Sequence, residues 1–332
     1  MKILLITNHR SSASLCSCYE RAFISLGHEV EQAIPDSYMS LGIRVKKKLH
    51  PFFLDRTRPN IYEKKLVKIA KDFNPDVIIV FQCELFSPKL LEDLREYSLR
   101  GIYNIWSDNP YVDWSVIANN LYLPLRVYDA VFISTLQHVP LFYQLGANNV
   151  MHLPFGFDPL IHYPVEQSEK DIDIAYFGSY GKTAERFLSP LIGKYKIKIF
   201  GNHWEKSKGS DLFNVWERGI GFGEDMRNQI ARSKIVVNFI RQKHVTGTSM
   251  KVYELPACKA FMLTNFTEEV GSLLRKDVDC IFFNSIDDLA QKIEFFIGDV
   301  EIRNTIANNA YLKVKNSETY TERAKDLLFK LG

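Results

Sequence analysis

Two α/β domains, each built on an open parallel sheet, are what this sequence predicts. Three observations carry that prediction. The chain has 332 residues, more than the roughly 250–300 at which a single hydrophobic core stops growing. Short apolar runs alternate along it with stretches of helical periodicity, the pattern of parallel strands covered by helices. At the midpoint the alternation is interrupted by Pro154, Gly156, Pro159 and Pro164 and the polar stretch Glu166–Lys170, and then it restarts.

In chain order, Lys2–Thr7 reads as a buried first strand and Ser14–Leu26 as a helix with Gly27 at its C-terminal cap. Val77–Phe81, opened by Asn74-Pro75-Asp76, is the next strand. Leu90, Leu91, Leu94 and Tyr97 then share one helix face, and Gly101 leads into strand Ile102–Trp106. Ala130–Ser134 is a further strand, followed by a helix ending at Leu145 and the turn Gly146-Ala147-Asn148-Asn149. Leu153–Glu169 is expected to be the interdomain linker. Beyond it, Ile172–Phe177, Lys196–Phe200, Ile235–Phe239, Phe261–Thr264 and Cys280–Phe283 read as strands. Helices are expected over 183–192, 223–232, 250–258 and 286–297, and the end, Glu301–Leu331, reads as one almost continuous helix.

Composition removes several classes. Aromatic residues make up 13% of the chain, too many for a disordered segment. The balance of 42 basic and 39 acidic residues gives a net charge of +3, which does not suit a chain that coats nucleic acid, so no nucleic-acid partner is expected. The five cysteines are odd in number and sparse, which favours a reducing compartment and hence a cytoplasmic protein. Cys16 and Cys18 are the only close pair. Their spacing is not that of a common zinc or redox motif, and no metal ligand set is expected. The apolar start is too short for a signal peptide, and no run approaches a membrane span.

Chemistry-bearing residues gather where strands end. After strand Ile235–Phe239 comes Thr246-Gly247-Thr248-Ser249-Met250-Lys251-Val252-Tyr253-Glu254. Thr248 or Ser249 suits a helix N-cap. Gly247 allows close backbone approach, the helix amides favour an anion, and Lys251 adds a point charge. Glu254, one turn on, can accept hydrogen bonds from ribose hydroxyls. The same spacing also fits an ordinary capped helix with a surface Lys–Glu pair. After strand Ile172–Phe177, Gly178-Ser179-Tyr180-Gly181 is a glycine-bearing turn suited to phosphate, with Lys182 and Arg186 as contacts or as plain solvated charges. It is neither G-x-G-x-x-G nor a P-loop. Asp108, in Trp106-Ser107-Asp108-Asn109-Pro110, suits either a general base or an Asx turn before Pro110. His9, just past the first strand, suits a base or a surface histidine. Arg44–Phe53, with Lys46-Lys47-Lys48 ahead of Pro51-Phe52-Phe53, reads either as a solvated loop or as a peripheral contact for an anionic acceptor or a membrane face.

Leu153-Pro154-Phe155-Gly156-Phe157-Asp158-Pro159, then His162-Tyr163-Pro164, then Asp173–Ser179, resembles the CgeB family of spore-maturation-type glycosyltransferases, whose architecture is GT-B. Three further stretches agree: Trp106–Pro110, the helix Lys251-Val252-Tyr253-Glu254-Leu255-Pro256-Ala257-Cys258, and a C-terminal set of Asp288, Asp299, Arg303, Tyr320 and Arg323. The resemblance spans the chain. It implies two Rossmann-like domains facing a cleft, with a terminal helix crossing back to the first: residues 1–155 for the acceptor, 156–315 for the donor, and 316–332 as that helix. It implies a nucleotide-diphosphate sugar donor, with a UDP-sugar expected, and no required metal or other cofactor. Carried over by position, Glu254 would hold the ribose, while Gly247, Thr248, Ser249, Lys251, Gly178, Ser179 and Arg186 would surround the diphosphate. The acceptor is an unspecified hydroxyl on a glycan, a protein or a small molecule.

Two departures from the resembled pattern matter. Retaining relatives place a second glutamate eight positions before the ribose glutamate, and here that position is Thr246. Inversion then requires a base, for which Asp108 and His9 are the candidates. Lys259 stands where a glycine usually follows Ala-Cys. These departures keep two alternatives open: an inactive binding or structural protein on the same fold, and a nucleotide-sugar epimerase.

Overall fold

The runs of Val, Ile, Leu and Phe become strands buried on both faces, as parallel strands covered by helices must be. The computed structural model describes residues 1–7, 11–35, 61–82, 86–111, 122–166, 169–219, 222–240 and 247–332. His9, Arg44–Phe53, Thr246 and Cys83 therefore lie outside the described residues. The chain divides into two units, the first made of Met1–Pro154 with Arg323–Gly332, the second of Phe155–Glu322.

The first unit holds strands β1 (Lys2–Thr7), β2 (Glu29–Ala33), β3 (Val77–Phe81), β4 (Ile102–Trp106), β5 (Ala130–Ile133) and β6 (Val150–His152), all parallel, in the order β2-β1-β3-β4-β5-β6. Helices α1 (Leu15–Ser25), α2 (Ile61–Phe73), α3 (Pro88–Arg95) and α4 (Val139–Gln144) join them. Ser14 and Ser87 cap α1 and α3 by accepting from the amides of Ser17 and Leu90. One core cluster packs Leu4, Ile6, Ile78, Val80, Ile102, Trp106, Val131 and Ile133 against Leu66 and Ala70 of α2, Leu90, Leu91 and Leu94 of α3, and Phe142 of α4. Each such aliphatic side chain contributes up to about 1.5–3 kcal/mol. The strand order reverses direction at β1, so its crevice opens beyond the C-terminal ends of β1 and β3.

The second unit holds β7 (Ile172–Phe177), β8 (Ile197–Phe200), β9 (Trp216–Glu217), β10 (Ser233–Asn238), β11 (Met262–Asn265) and β12 (Ile281–Phe283), in the order β12-β11-β10-β7-β8-β9. Counted from β7, that is the six-strand Rossmann order, with its reversal between β7 and β10. The covering helices are α5 (Lys182–Leu188), α6 (Gly223–Ala231), α7 (Lys251–Ala257), α8 (Glu268–Leu273), α9 (Ile286–Ile297) and α10 (Val300–Val314). The buried Arg303 of α10 donates to the last carbonyls of α9, those of Phe296 and Ile297, each at 2.5 Å, and so caps that helix.

Two expectations change. The continuous C-terminal helix is broken: α10 stops at Val314 and α11 runs over Tyr320–Lys330. The break exists because Phe157 runs beside it. The Phe157 amide donates to Glu318 O at 3.0 Å and the Tyr320 amide to Phe157 O at 2.9 Å, so Thr319 leaves the helix and its hydroxyl caps α11 through the Glu322 amide. The crossing is so close that a Cβ on Gly156 would sit 2.8 Å from Glu318 O. Secondly, the Pro-rich segment is not a solvated linker past Pro154. Phe155, Phe157, Ile161 and His162 are buried in the second unit, and Asp158 organises a turn by accepting the Leu160 amide on its side chain and the Ile161 and His162 amides on its carbonyl. Lys259, just past α7, adopts the left-handed backbone conformation that favours glycine. Its φ is +54°, and the Ala260 amide closes the end of α7 onto Leu255 O at 3.0 Å. A left-handed residue with a side chain costs about 1–2 kcal/mol; the Lys259 ammonium lies 5.0 Å from the Tyr311 ring centroid, a cation–π contact that offsets part of it.

In the first unit the chain end is tied down. Lys330 Nζ donates to His152 O at 3.0 Å, and Arg100 donates to Gly332 O at 2.9 Å. Among the described residues no helix is long and apolar enough to cross a membrane.

Candidate functional site

The reversal in the second sheet brings two turns together at its C-terminal edge. One is Gly178–Gly181, between β7 and α5. Its conformation is set from β8: the Gly178 amide donates to Phe200 O and the Tyr180 amide to Asn202 O, both at 2.8 Å. The indole of the fully buried Trp204 donates to Gly178 O at 2.9 Å. Gly201, at φ +133°, has no room for a Cβ because it would overlap the Gly178 carbonyl. The Gly178 amide is therefore already used, while Ser179 is half-buried in the turn ahead of α5. Arg186 is exposed, its guanidinium 5.3 Å from the Phe187 ring centroid.

The other turn is Gly247–Met250, ahead of α7. Its first carbonyl, Gly247 O, accepts from the buried Thr267 hydroxyl at 2.8 Å, and Thr267 also caps α8 through the Val270 amide. Thr248 and Ser249 do not cap α7. The capping residue is Met250, without a side-chain bond. The hydroxyls of Thr248 and Ser249 are instead buried, with no hydrogen-bond partner among the described residues. A buried hydroxyl without a partner costs about 1–3 kcal/mol, so these two are polar groups that a water or a ligand could complete.

Glu254 lies on the next turn of α7 and is 3% exposed. Its Oε2 accepts from Lys251 Nζ at 2.6 Å, and its Oε1 is 3.9 Å from His162 Nε2. Burial by itself would raise the Glu254 carboxyl, but the charge of Lys251, then the polar Nε2 edge of His162, and the Lys251 hydrogen bond outweigh it and hold the group below its ordinary value. The carboxylate is therefore ionised at neutral pH, and among the described residues none donates a hydrogen bond to Oε1. The thiol of the neighbouring Cys258 is pushed up to about 12 by burial and by Glu254, which makes it inert as a nucleophile. Arg227 closes the far side, donating to Ile161 O at 3.0 Å with its guanidinium 4.0 Å from the Tyr163 ring centroid.

In the first unit, Asp108 is exposed just past β4. Its only partner among the described residues is the Gln82 side-chain amide, at 2.8 Å. Gln82 adopts φ +57° at the end of β3, held by its own amide on Ile105 O and by Asn104 Nδ2 on its carbonyl. The Asx turn read as an alternative for Asp108 is made by Asn109, which accepts the Tyr111 amide at 2.9 Å. Among the described residues the Asp108 carboxylate thus keeps free lone pairs. Beside it, Ser134 donates to Ser107 O at 3.0 Å. His152 faces Ser134 O at 3.3 Å, and burial lowers its basicity. His9 and Thr246 fall outside the described residues.

Sequence reasoning missed His162, Thr267, Trp204 and Gly201. Each acts on a turn far from it in sequence, so no local spacing announces it. The signal for His162 was its place in the His162-Tyr163-Pro164 motif. Among the described residues no group of three or more His, Cys, Asp or Glu is placed to hold a metal ion.

Comparison with known proteins fits this arrangement. Residues 182–328 match a family model described as glycosyl transferase-like. No curated protein matches. Among solved structures, sucrose-phosphate synthase from Thermosynechococcus elongatus is similar with a TM-score of 0.70 at 12% identity, over 99% of this chain and 98% of that one. HepE of Anabaena, solved with UDP-glucose, has a TM-score of 0.67 at 14% identity, over 100% and 99%. BGT of phage T4, solved with its UDP-glucose substrate, has a TM-score of 0.60 at 14% identity, over 100% and 99%. At these identities the likeness is one of fold, and the fold is GT-B.

Proposed function

We propose that this chain is a glycosyltransferase that moves a sugar from a nucleotide-diphosphate donor, a UDP-sugar, to an acceptor hydroxyl. The observation that carries the reading is the buried, ionised Glu254 together with two buried hydroxyls that have no partner among the described residues, at the reversal of the second sheet. A carboxylate with free lone pairs suits vicinal ribose hydroxyls. Thr248, Ser249, the amides that open α7, the turn after Gly178, and Lys251 with its remaining N–H donors suit a diphosphate. Two fold relatives are solved with UDP-glucose, which supports a UDP-sugar as donor. The resemblance to CgeB-type enzymes, and cytoplasmic placement on the strength of the cysteine usage, belong to the same reading.

In the proposed mechanism the second unit takes the donor and the first supplies the acceptor side. Asp108 accepts the proton of the acceptor hydroxyl as that oxygen attacks the anomeric carbon, and the nucleoside diphosphate departs. The leaving group's charge is met by backbone amides, hydroxyls and Lys251, so that no metal is needed.

A thermal-shift series with UDP-, GDP-, TDP- and CMP-sugars tests the donor class. Ligand at about 100 times its dissociation constant adds about 2.7 kcal/mol, and the UDP-sugars are expected to raise Tm most. A flat response to all four would reject the reading. Conversion of the donor sugar without any acceptor would favour epimerisation instead.

A further inference from the structure

We infer that His162 is a positioning residue for Glu254, and through it sets the preference of this site for a ribose diphosphate over its deoxy counterparts. The inference rests on the reading of Glu254 as the ribose carboxylate and assigns a role to a residue which that reading leaves unused.

His162 is 2% exposed and comes from the Asp158 turn, far from α7 in sequence. That turn fixes its ring. The Asp158 amide lies 3.3 Å from Nδ1. An amide N–H can only donate, so Nδ1 accepts and the ring proton lies on Nε2. Nε2 faces Glu254 Oε1 at 3.9 Å, beyond hydrogen-bond length but within electrostatic range. Lys251 holds the other oxygen, Oε2, at 2.6 Å. The carboxylate is therefore oriented from both sides, by a tight bond on one oxygen and a positive edge on the other. Among the described residues Oε1 keeps its lone pairs for a ligand, because His162 approaches it at 3.9 Å without a hydrogen bond. The division of labour follows: Lys251 anchors, His162 aims, and Oε1 binds.

Removing His162 leaves Lys251 as the sole partner among the described residues, and the carboxylate is free to rotate toward it. A loss of aim should affect ribose recognition selectively. A general loosening of the fold should weaken every ligand equally.

The test compares UDP with 2′,3′-dideoxy-UDP by calorimetry on the full chain, in wild type and in the variants Glu254→Ala, His162→Ala and His162→Gln. Wild type is expected to prefer UDP by about ten- to a hundredfold, as one or two hydrogen bonds to a carboxylate supply. Glu254→Ala should abolish the preference. His162→Ala should shrink it to within about threefold, with dideoxy-UDP bound as in wild type. His162→Gln, whose amide can accept from Asp158 and donate toward Glu254, should restore most of it. If wild type shows no preference, the ribose reading itself fails. If wild type and Glu254→Ala behave as expected but His162→Ala keeps the full preference, the role assigned to His162 is overturned while the ribose reading stands. An equal loss for both nucleotides in His162→Ala and His162→Gln would also overturn it, since that is the signature of a structural role.

Discussion

Asp108→Asn is expected to lower transfer turnover by about 10²–10⁴-fold, the usual contribution of a general base, while donor affinity changes by less than about twofold. The substitution keeps the side chain's shape and one acceptor oxygen, and removes the charge that takes the proton. Its structural cost is small because Asp108 is exposed and its only partner among the described residues is the Gln82 amide. The Asx turn at Asn109 does not depend on it. The check is UDP release from a UDP-sugar under acceptor conditions that support wild-type turnover, beside a calorimetric titration of the donor. Undiminished release in Asp108→Asn would remove it from the mechanism and turn attention to His9.

Glu254→Ala is expected to weaken UDP binding by about ten- to a hundredfold, the equivalent of about 1.4–2.8 kcal/mol. Two effects combine. The ribose hydroxyls lose their acceptor, and Lys251, whose side chain is 17% exposed, loses its counter-ion. The second effect also costs stability, on the order of 1–3 kcal/mol for a largely buried charge left unpaired. Glu254→Gln separates the two, since it keeps an acceptor oxygen for Lys251 and for one hydroxyl. It should fold with near wild-type Tm and bind UDP with intermediate affinity. Calorimetry together with a melting curve reads both quantities, and unchanged affinity in Glu254→Ala would remove the ribose assignment.

The sheets were largely legible because their strands announce themselves by composition. Val77–Phe81 is an unbroken apolar run, and Ile172–Phe177 and Ile102–Trp106 are apolar apart from Asp173 and Asn104; each forms a strand over those same residues. β2 was missed because Glu29-Val30-Glu31-Gln32-Ala33 is an edge strand with alternating exposure and carries little apolar signal. β6 and β9 are too short to show periodicity. The break between α10 and α11 was invisible because its cause is tertiary: Lys315–Glu318 is compatible with helix, and only the passage of Phe157 withdraws Thr319. The site shows the same division. Lys251, Thr248, Ser249 and Glu254 were legible since they fall within one stretch between a strand and a helix. Their actual states were not. That the Thr248 and Ser249 hydroxyls are buried without a partner among the described residues instead of capping the helix, and that His162 faces the Glu254 carboxylate, depend on contacts between distant segments.

Hydrogen exchange of the protein with and without UDP, read peptide by peptide, tests the central claim most directly, because it locates the donor site without presuming an acceptor. Binding slows exchange where backbone amides become engaged or opening is suppressed. Protection is expected to concentrate over 247–258 and 179–186, with the His162 turn following and the strands of the first unit unchanged. No protection at saturating UDP, or protection confined to the first unit, would contradict the account.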